Sequence, residues 1–235
     1  MKNNENVVAK SWVIGMFTST IGRKYVMSLT GLFLISFLVV HFSANMLTLI
    51  PDGGLTFNAV ASWLEHNIII RSIEYLLFAG FIIHILQSIT ITVYNNKARP
   101  DKYAVKPEKA ASTWASRNMG ILGAIIFIFL VIHMRDLFWD LRFHDEKLGH
   151  DANGNIDLNA QVVALFSLLP YTAIYVVAMV ALGYHLWHGF PSAFRTLGLE
   201  HSKYTPAIVL IGKVYTIIIT GGFIIIPLYW YFKQL

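Results

Sequence analysis

Five stretches of this chain are each long and apolar enough to cross a lipid bilayer, and no other feature limits the fold so strongly. They run over roughly residues 25–50, 68–94, 118–139, 162–190 and 206–232. A crossing helix takes about 20 mainly apolar residues, because every backbone polar group inside hydrocarbon must be satisfied within the segment itself. The composition agrees. Hydrophobic residues make up 56% of the chain and charged residues 13%, against about 25% charged in a soluble domain. The expectation is an all-α integral membrane bundle of five transmembrane helices forming a single domain. Before the first span, Ser11–Gly22 suits a short interfacial helix, with Trp12 and Phe17 at headgroup level.

Basic residues outside the spans set the orientation. Lys2, Lys10, Arg23 and Lys24 precede the first span, and Lys97, Arg99, Lys102, Lys106, Lys109 and Arg117 follow the second. With Arg195 and Lys203 after the fourth span, twelve Lys and Arg fall on one side and four on the other. The richer side is expected in the cytoplasm, which puts the N-terminus inside the cell and the chain in the cytoplasmic membrane. The net charge of +5 thus reads as topology rather than nucleic-acid binding. No apolar core of signal-peptide length precedes Lys24, so no cleaved leader is expected. The absence of cysteine excludes disulfides, thiolate metal sites and iron–sulfur clusters held by this chain.

The longest loop is read from Arg135 to Gln161 and includes the run from Asp151 to Asp157. Its spacing resembles a calcium loop, but Ile156 stands where the EF-hand turn needs glycine and no glutamate closes it. An Asn-Gly turn is the expected structure. The sequence shows no internal repeat, no phosphate-binding glycine loop and no nucleophile elbow.

Nine histidines are present. His66, His144, His150 and His201 lie in or beside loops, where solvated side chains are the default. His41, His84, His133, His185 and His188 lie inside the first four spans. A ring in hydrocarbon needs a partner. An interhelical hydrogen bond would satisfy one histidine, but four helices each carrying one point to metal ligation, and a closed haem takes two axial ligands from facing helices. At a rise of about 1.5 Å per residue, His41 and His133 reach similar depths in the outer half, and His84 and His185 belong to the inner half. The expectation is two stacked haems, held by His41 with His133 and by His84 with His185. Zinc would want three or four ligands at one depth. His185 and His188 stand one turn apart and compete for the inner site. His185 is deeper, which leaves His188 for a propionate or a quinone at the interface.

Gly31, Gly80, Gly120, Gly123 and Gly183 share spans with these histidines. They suit close approach of a flat macrocycle or of a neighbouring helix. Ser28, Arg117, Arg195 and Lys203 are the inner candidates for propionate contacts. On the outer side Glu65, His66 and Arg71 cluster at the start of the second span. A carboxylate there suits proton exchange with a quinol, and it equally suits a solvated turn.

The placement of His41, His84, His133 and His185 resembles that of the di-haem cytochrome b subunit of succinate:quinone oxidoreductases, the anchors of succinate dehydrogenases and fumarate reductases. The run from His185 through Trp187, His188 and Pro191 to Gly198 is similar to the family's fourth-ligand region, and residues 21–31 are similar to its approach to the first helix. The resemblance spans roughly residues 15–232 and favours His185 as fourth ligand. It implies two haem b groups, and flavoprotein and iron–sulfur subunits docked on the cytoplasmic face. It also implies electron transfer to or from a quinone, menaquinone in most di-haem members. Glu65 matches by position an acidic residue implicated in quinone protonation. Some fumarate reductases have an acidic residue just before the fourth ligand, where this chain has Gly183 and Tyr184, so that proton path is not expected. Two rivals stand beside this reading. One is the di-haem anchor of a nitrate reductase or hydrogenase, which places ligands on fewer helices. The other is a transporter relaying protons through buried histidines. The fifth span, without a ligand, is expected at the edge of the bundle.

Overall fold

The computed structural model describes residues 14–97 and 113–235, and these are almost entirely helical, with no β-strand among them. Five helices are long and apolar enough to cross a membrane, as the sequence predicts. We number the main helices α1 (Thr20–Met46), α2 (Leu55–His66), α3 (Ile68–Lys97), α4 (Met119–His133), α5 (Leu158–Phe166), α6 (Leu169–Thr196) and α7 (Thr205–Lys233). The spans are α1, α3, α4, α6 and α7; α2 and α5 are short helices at one end. We call that end the far end, and the end where α1 begins the near end.

Local chemistry explains where the spans differ from expectation. The first begins at Thr20 rather than Tyr25, because Ser19 caps it by accepting a hydrogen bond from the Gly22 amide at 3.1 Å. Residues 14–18 form a separate helical turn, so the interfacial segment is broken at Ser19; Trp12 lies outside the described residues. The third span does not stop at Trp139. After His133 the backbone widens into a π-helical stretch over Met134–Trp139, then resumes as α-helix to Phe143. The loop therefore starts at His144 rather than Arg135. The fourth span starts at Leu169 rather than Val162 and runs to Thr196 rather than Phe190. Pro170 lacks the amide that would continue α5. The Thr172 hydroxyl bonds the freed Phe166 carbonyl at 3.0 Å instead.

α6 is the hub of the bundle, packing against α7, α4, α1 and α5, while α3 packs mainly on α1. The second and third spans meet only loosely. The fifth span is not peripheral, contrary to expectation. In α7, 28% of the apolar window is buried, against 6% in the second and third spans. Small residues cause this. A Cβ at Gly222 would fall within 3.0 Å of the Phe42 ring, and one at Gly212 within 3.0 Å of Phe190. The Tyr215 hydroxyl also donates to the Ile35 carbonyl at 2.7 Å, tying α7 to α1.

The far end is closed by α2 and α5. Phe57, Val162, Phe166, Tyr175, Ile226 and Trp230 form a buried apolar cluster there. Beside it Asn58, 1% exposed, donates to Asp157 at 3.0 Å and accepts from the Asn159 amide at 2.9 Å. The Asp151–Asp157 run turns at Gly154, whose φ of +81° suits glycine, and His150 bridges Ile156. Asp151 accepts the Asn153 and Asn155 amides, and Asp157 caps α5. These carboxylates are thus turn and cap groups, and no cluster of three or more metal-ligating side chains occurs among the described residues.

Candidate metal centre

The four span histidines converge in two pairs. His41 on α1 faces His133 on α4 with ring centroids 5.7 Å apart, and His84 on α3 faces His185 on α6 with centroids 6.4 Å apart. The partners are those expected from depth. One detail is corrected: α6 extends past Phe190, so His185 lies eleven residues from its end, roughly 17 Å at helical rise. His84 lies thirteen residues from the end of α3, roughly 20 Å, so the two now sit at matching depth.

The pairs occupy different levels. The Thr30 hydroxyl lies 3.0 Å from His84 Nδ1, so the second pair sits beside Thr30 on α1. His41 is eleven residues farther along that helix, roughly 16 Å at helical rise.

Hydrogen-bond partners bear on which ring nitrogen is available. Thr30 Oγ1 donates to the backbone carbonyl of Val26 or Met27 and so presents its lone pairs to His84 Nδ1. The Tyr175 hydroxyl lies 3.3 Å from His133 Nδ1, and the Asn45 amide 3.4 Å from His41 Nδ1. The Thr30 and Tyr175 oxygens can accept the Nδ1 protons of His84 and His133 and leave Nε2 for a ligand, the arrangement usual for metal-bound histidine. The Asn45 amide nitrogen is a donor, bonded to the His41 carbonyl at 2.8 Å, and offers His41 Nδ1 no acceptor. His185 Nδ1 is buried with no hydrogen-bond partner among the described residues. Two imidazoles bonded at about 2 Å to one metal set their centroids roughly 6 Å apart, which both pairs match. Two ligands at each level suit a metal whose other positions are filled by a macrocycle, and do not suit zinc.

The surroundings are aromatic and narrow. Phe37 and Phe223 flank His41, and Phe129 stacks on His133 at 5.5 Å. A Cβ at Gly31 would lie 3.4 Å from the His84 ring, so this glycine borders the second pair. Gly80 packs against Phe33 and Gly183 against Thr220, as helix contacts. A Cβ at Gly120 would meet no side chain nearer than 4.0 Å, and one at Gly123 nothing within 4 Å, among the described residues.

The remaining candidates lie nearer the two ends. His188 is partly buried, one turn beyond His185, with Arg195 close enough to act on it electrostatically. Ser28 is buried on α1, two residues from Thr30. Arg117 ends the short turn preceding α4. Arg195 is exposed and lines a cleft of about 300 Å³ with Ile21, Lys24, Tyr25 and Thr196. Lys203 is exposed and lies over the Tyr204 ring. Tyr184 packs on Trp114 at 5.3 Å.

At the far end Glu65 does not cluster with His66, whose Nδ1 contacts the Ser62 carbonyl of its own helix. Glu65 instead accepts from Arg142 at 3.1 Å, and the same guanidinium reaches Glu74 at 3.3 Å. Arg142 and Glu74 were not singled out from sequence. The signal for Glu74 was present, as a carboxylate inside an apolar span. Thr30 and Tyr175 were also missed, because nothing in their spacing marks them as partners of distant rings. Asn45 lies one turn from His41 on the same helix, a spacing that could have marked it. Compared with family models, curated proteins and solved structures, the chain matches none.

Proposed function

We propose that this chain is the two-haem cytochrome b anchor of a succinate:quinone oxidoreductase in the cytoplasmic membrane. The observation that carries the reading is the pairing of four histidines from four spans at two levels, with ring centroids 5.7 and 6.4 Å apart. In this reading His41 with His133 and His84 with His185 hold one haem b each through Nε2. Haem b, when bound, supplies reversible one-electron transfer. The protein's own part is to orient and insulate. Thr30 holds His84, Tyr175 holds His133, and the apolar span surfaces keep the chain in lipid. Ser28, His188, Arg117 and Arg195, toward the near end, are the groups assigned to propionates. Flavoprotein and iron–sulfur subunits dock at that basic end, taken as cytoplasmic. Glu65, at the far end, exchanges protons with a quinone, assigned as menaquinone.

The test is a reduced-minus-oxidised spectrum of the purified chain. A b-type signal equivalent to two haems is expected. His41→Ala or His133→Ala removes one haem, and His84→Ala or His185→Ala removes the other. A chain without haem absorbance overturns the reading. Retention of both haems in His185→Ala, with loss of one in His188→Ala, overturns the choice of fourth ligand.

A further inference from the structure

At the far end three charged side chains from three elements form one unit. Arg142, at the end of the third span, directs Nη1 to Glu65 Oε1 at 3.1 Å and Nη2 to both oxygens of Glu74 at 3.3 and 3.4 Å. Glu65 lies in the last turn of α2, and Glu74 in the second turn of α3. The side chains are 19%, 21% and 25% exposed, so the unit is largely sheltered yet open to water. Beneath it Arg142 lies 6.0 Å over the Phe138 ring, and Phe138 meets Phe78 at 5.5 Å. An aromatic floor on the second and third spans, which meet only loosely, thus lies under a charged rim.

The two arms of the guanidinium are separate, and this has a chemical consequence. A sheltered cation must keep a partner, since leaving it unpaired is costly. If Glu65 were its only partner, protonating Glu65 would strand Arg142. Glu74 already holds the other arm, so Glu65 can take up a proton while Arg142 stays paired. We propose that Glu65, Arg142 and Glu74 form one proton-exchange unit, in which Arg142 is a positioning residue and Glu74 the counter-carboxylate that frees Glu65 to cycle a proton. This rests on the quinone role assigned to Glu65 and specifies its regulation. Oxidation of a hydroquinone at this end releases two electrons, to the one-electron carrier that His41 and His133 would hold, and two protons; Glu65 accepts the protons in turn and passes each to the outer water. Quinone reduction runs the same steps backwards.

Other charged groups nearby are accounted for. Arg71 lies one turn before Glu74 on α3 and adds a positive charge near it. His66 contacts its own helix, and Asp140, two residues before Arg142, lies off the face that Arg142 presents.

The experiment uses membranes carrying the whole complex, with fumarate reduction by a short-chain naphthohydroquinone as readout. Fumarate reduction by reduced viologen, which bypasses this chain, and the haem spectrum report assembly. Glu65→Gln is expected to abolish the hydroquinone-linked rate alone. Arg142→Gln removes a positive neighbour and should move the acid limb of the pH–rate profile up by about one unit. Glu74→Gln leaves Arg142 wholly to Glu65, making it a poorer proton acceptor, and should move that limb down by about one unit. Glu74→Asp should restore the wild-type limb. Shifts of opposite sign support the proposal, because a merely structural clamp would lower the rate in both variants without moving the limb. Unmoved limbs, or shifts of one sign, with Glu65→Gln inactive, overturn this inference alone. A fully active Glu65→Gln overturns the assignment of Glu65 and the proposal with it. If Arg142→Gln fails to assemble, the pair Glu74→Gln and Glu74→Asp decides, and an unmoved limb there overturns the proposal.

Discussion

An imidazole that binds a metal through Nε2 keeps its Nδ1 proton, and that proton needs an acceptor where water is absent. Thr30 meets this need for His84, and it can do so because its own proton is spent on the carbonyls of Val26 and Met27. The back-bond usual for threonine in a helix here orients a lone pair toward a ring 54 residues away in sequence. Thr30→Val keeps the shape and removes that acceptor. The expected outcome is a fold with unchanged helicity and roughly 10–100-fold weaker retention of the haem proposed for His84 and His185. Haem loss to an apo-globin acceptor measures it. Equal retention in the variant and the parent would remove Thr30 from the site. The histidines themselves were legible in sequence, since a ring in an apolar run stands out. Thr30 and Tyr175 were not, because hydroxyl residues are common in spans and only a distant ring singles these two out.

At the scale of elements, helix identity was legible and helix ends were not. Twenty apolar residues must be helical in a bilayer, but where each helix stops depends on single groups. Ser19 caps α1, Pro170 divides α5 from α6, and the π-helical widening after His133 carries the third span on to Arg142. Without that continuation Arg142 would sit in a loop rather than beside Glu65. The α1–α7 contact is equally local. Gly222 lies against the Phe42 ring, while a Cβ at the adjacent Gly221 would meet nothing within 4 Å. Gly222→Ala should therefore lower stability by about 1–3 kcal/mol through overpacking. Gly221→Ala should raise it by up to about 1 kcal/mol through helix propensity. Thermal unfolding in detergent compares the two, and equal effects would show that the Phe42 contact does not limit the packing.

For the whole molecule, the excess of Lys and Arg on one side predicts a cytoplasmic N-terminus. The absence of cysteine offers a clean test. Asn153→Cys, on the far-end turn, should react in intact cells with a thiol reagent that does not cross the membrane. Lys203→Cys, between α6 and α7, should react only after lysis. The reverse pattern would invert the bundle and place the Glu65 unit inside.

The sequence by itself determined that the chain spans a membrane five times and that four crossings carry histidines able to pair at two depths. Both follow from regularities every residue obeys: the thickness of hydrocarbon and a constant rise per residue. The tertiary structure alone decided that α6 is the hub, that α7 is buried by its glycines, and that Arg142 holds both Glu65 and Glu74. These depend on which helix faces meet, and a face is chosen by the fit of side chains far apart in sequence, which no local pattern records.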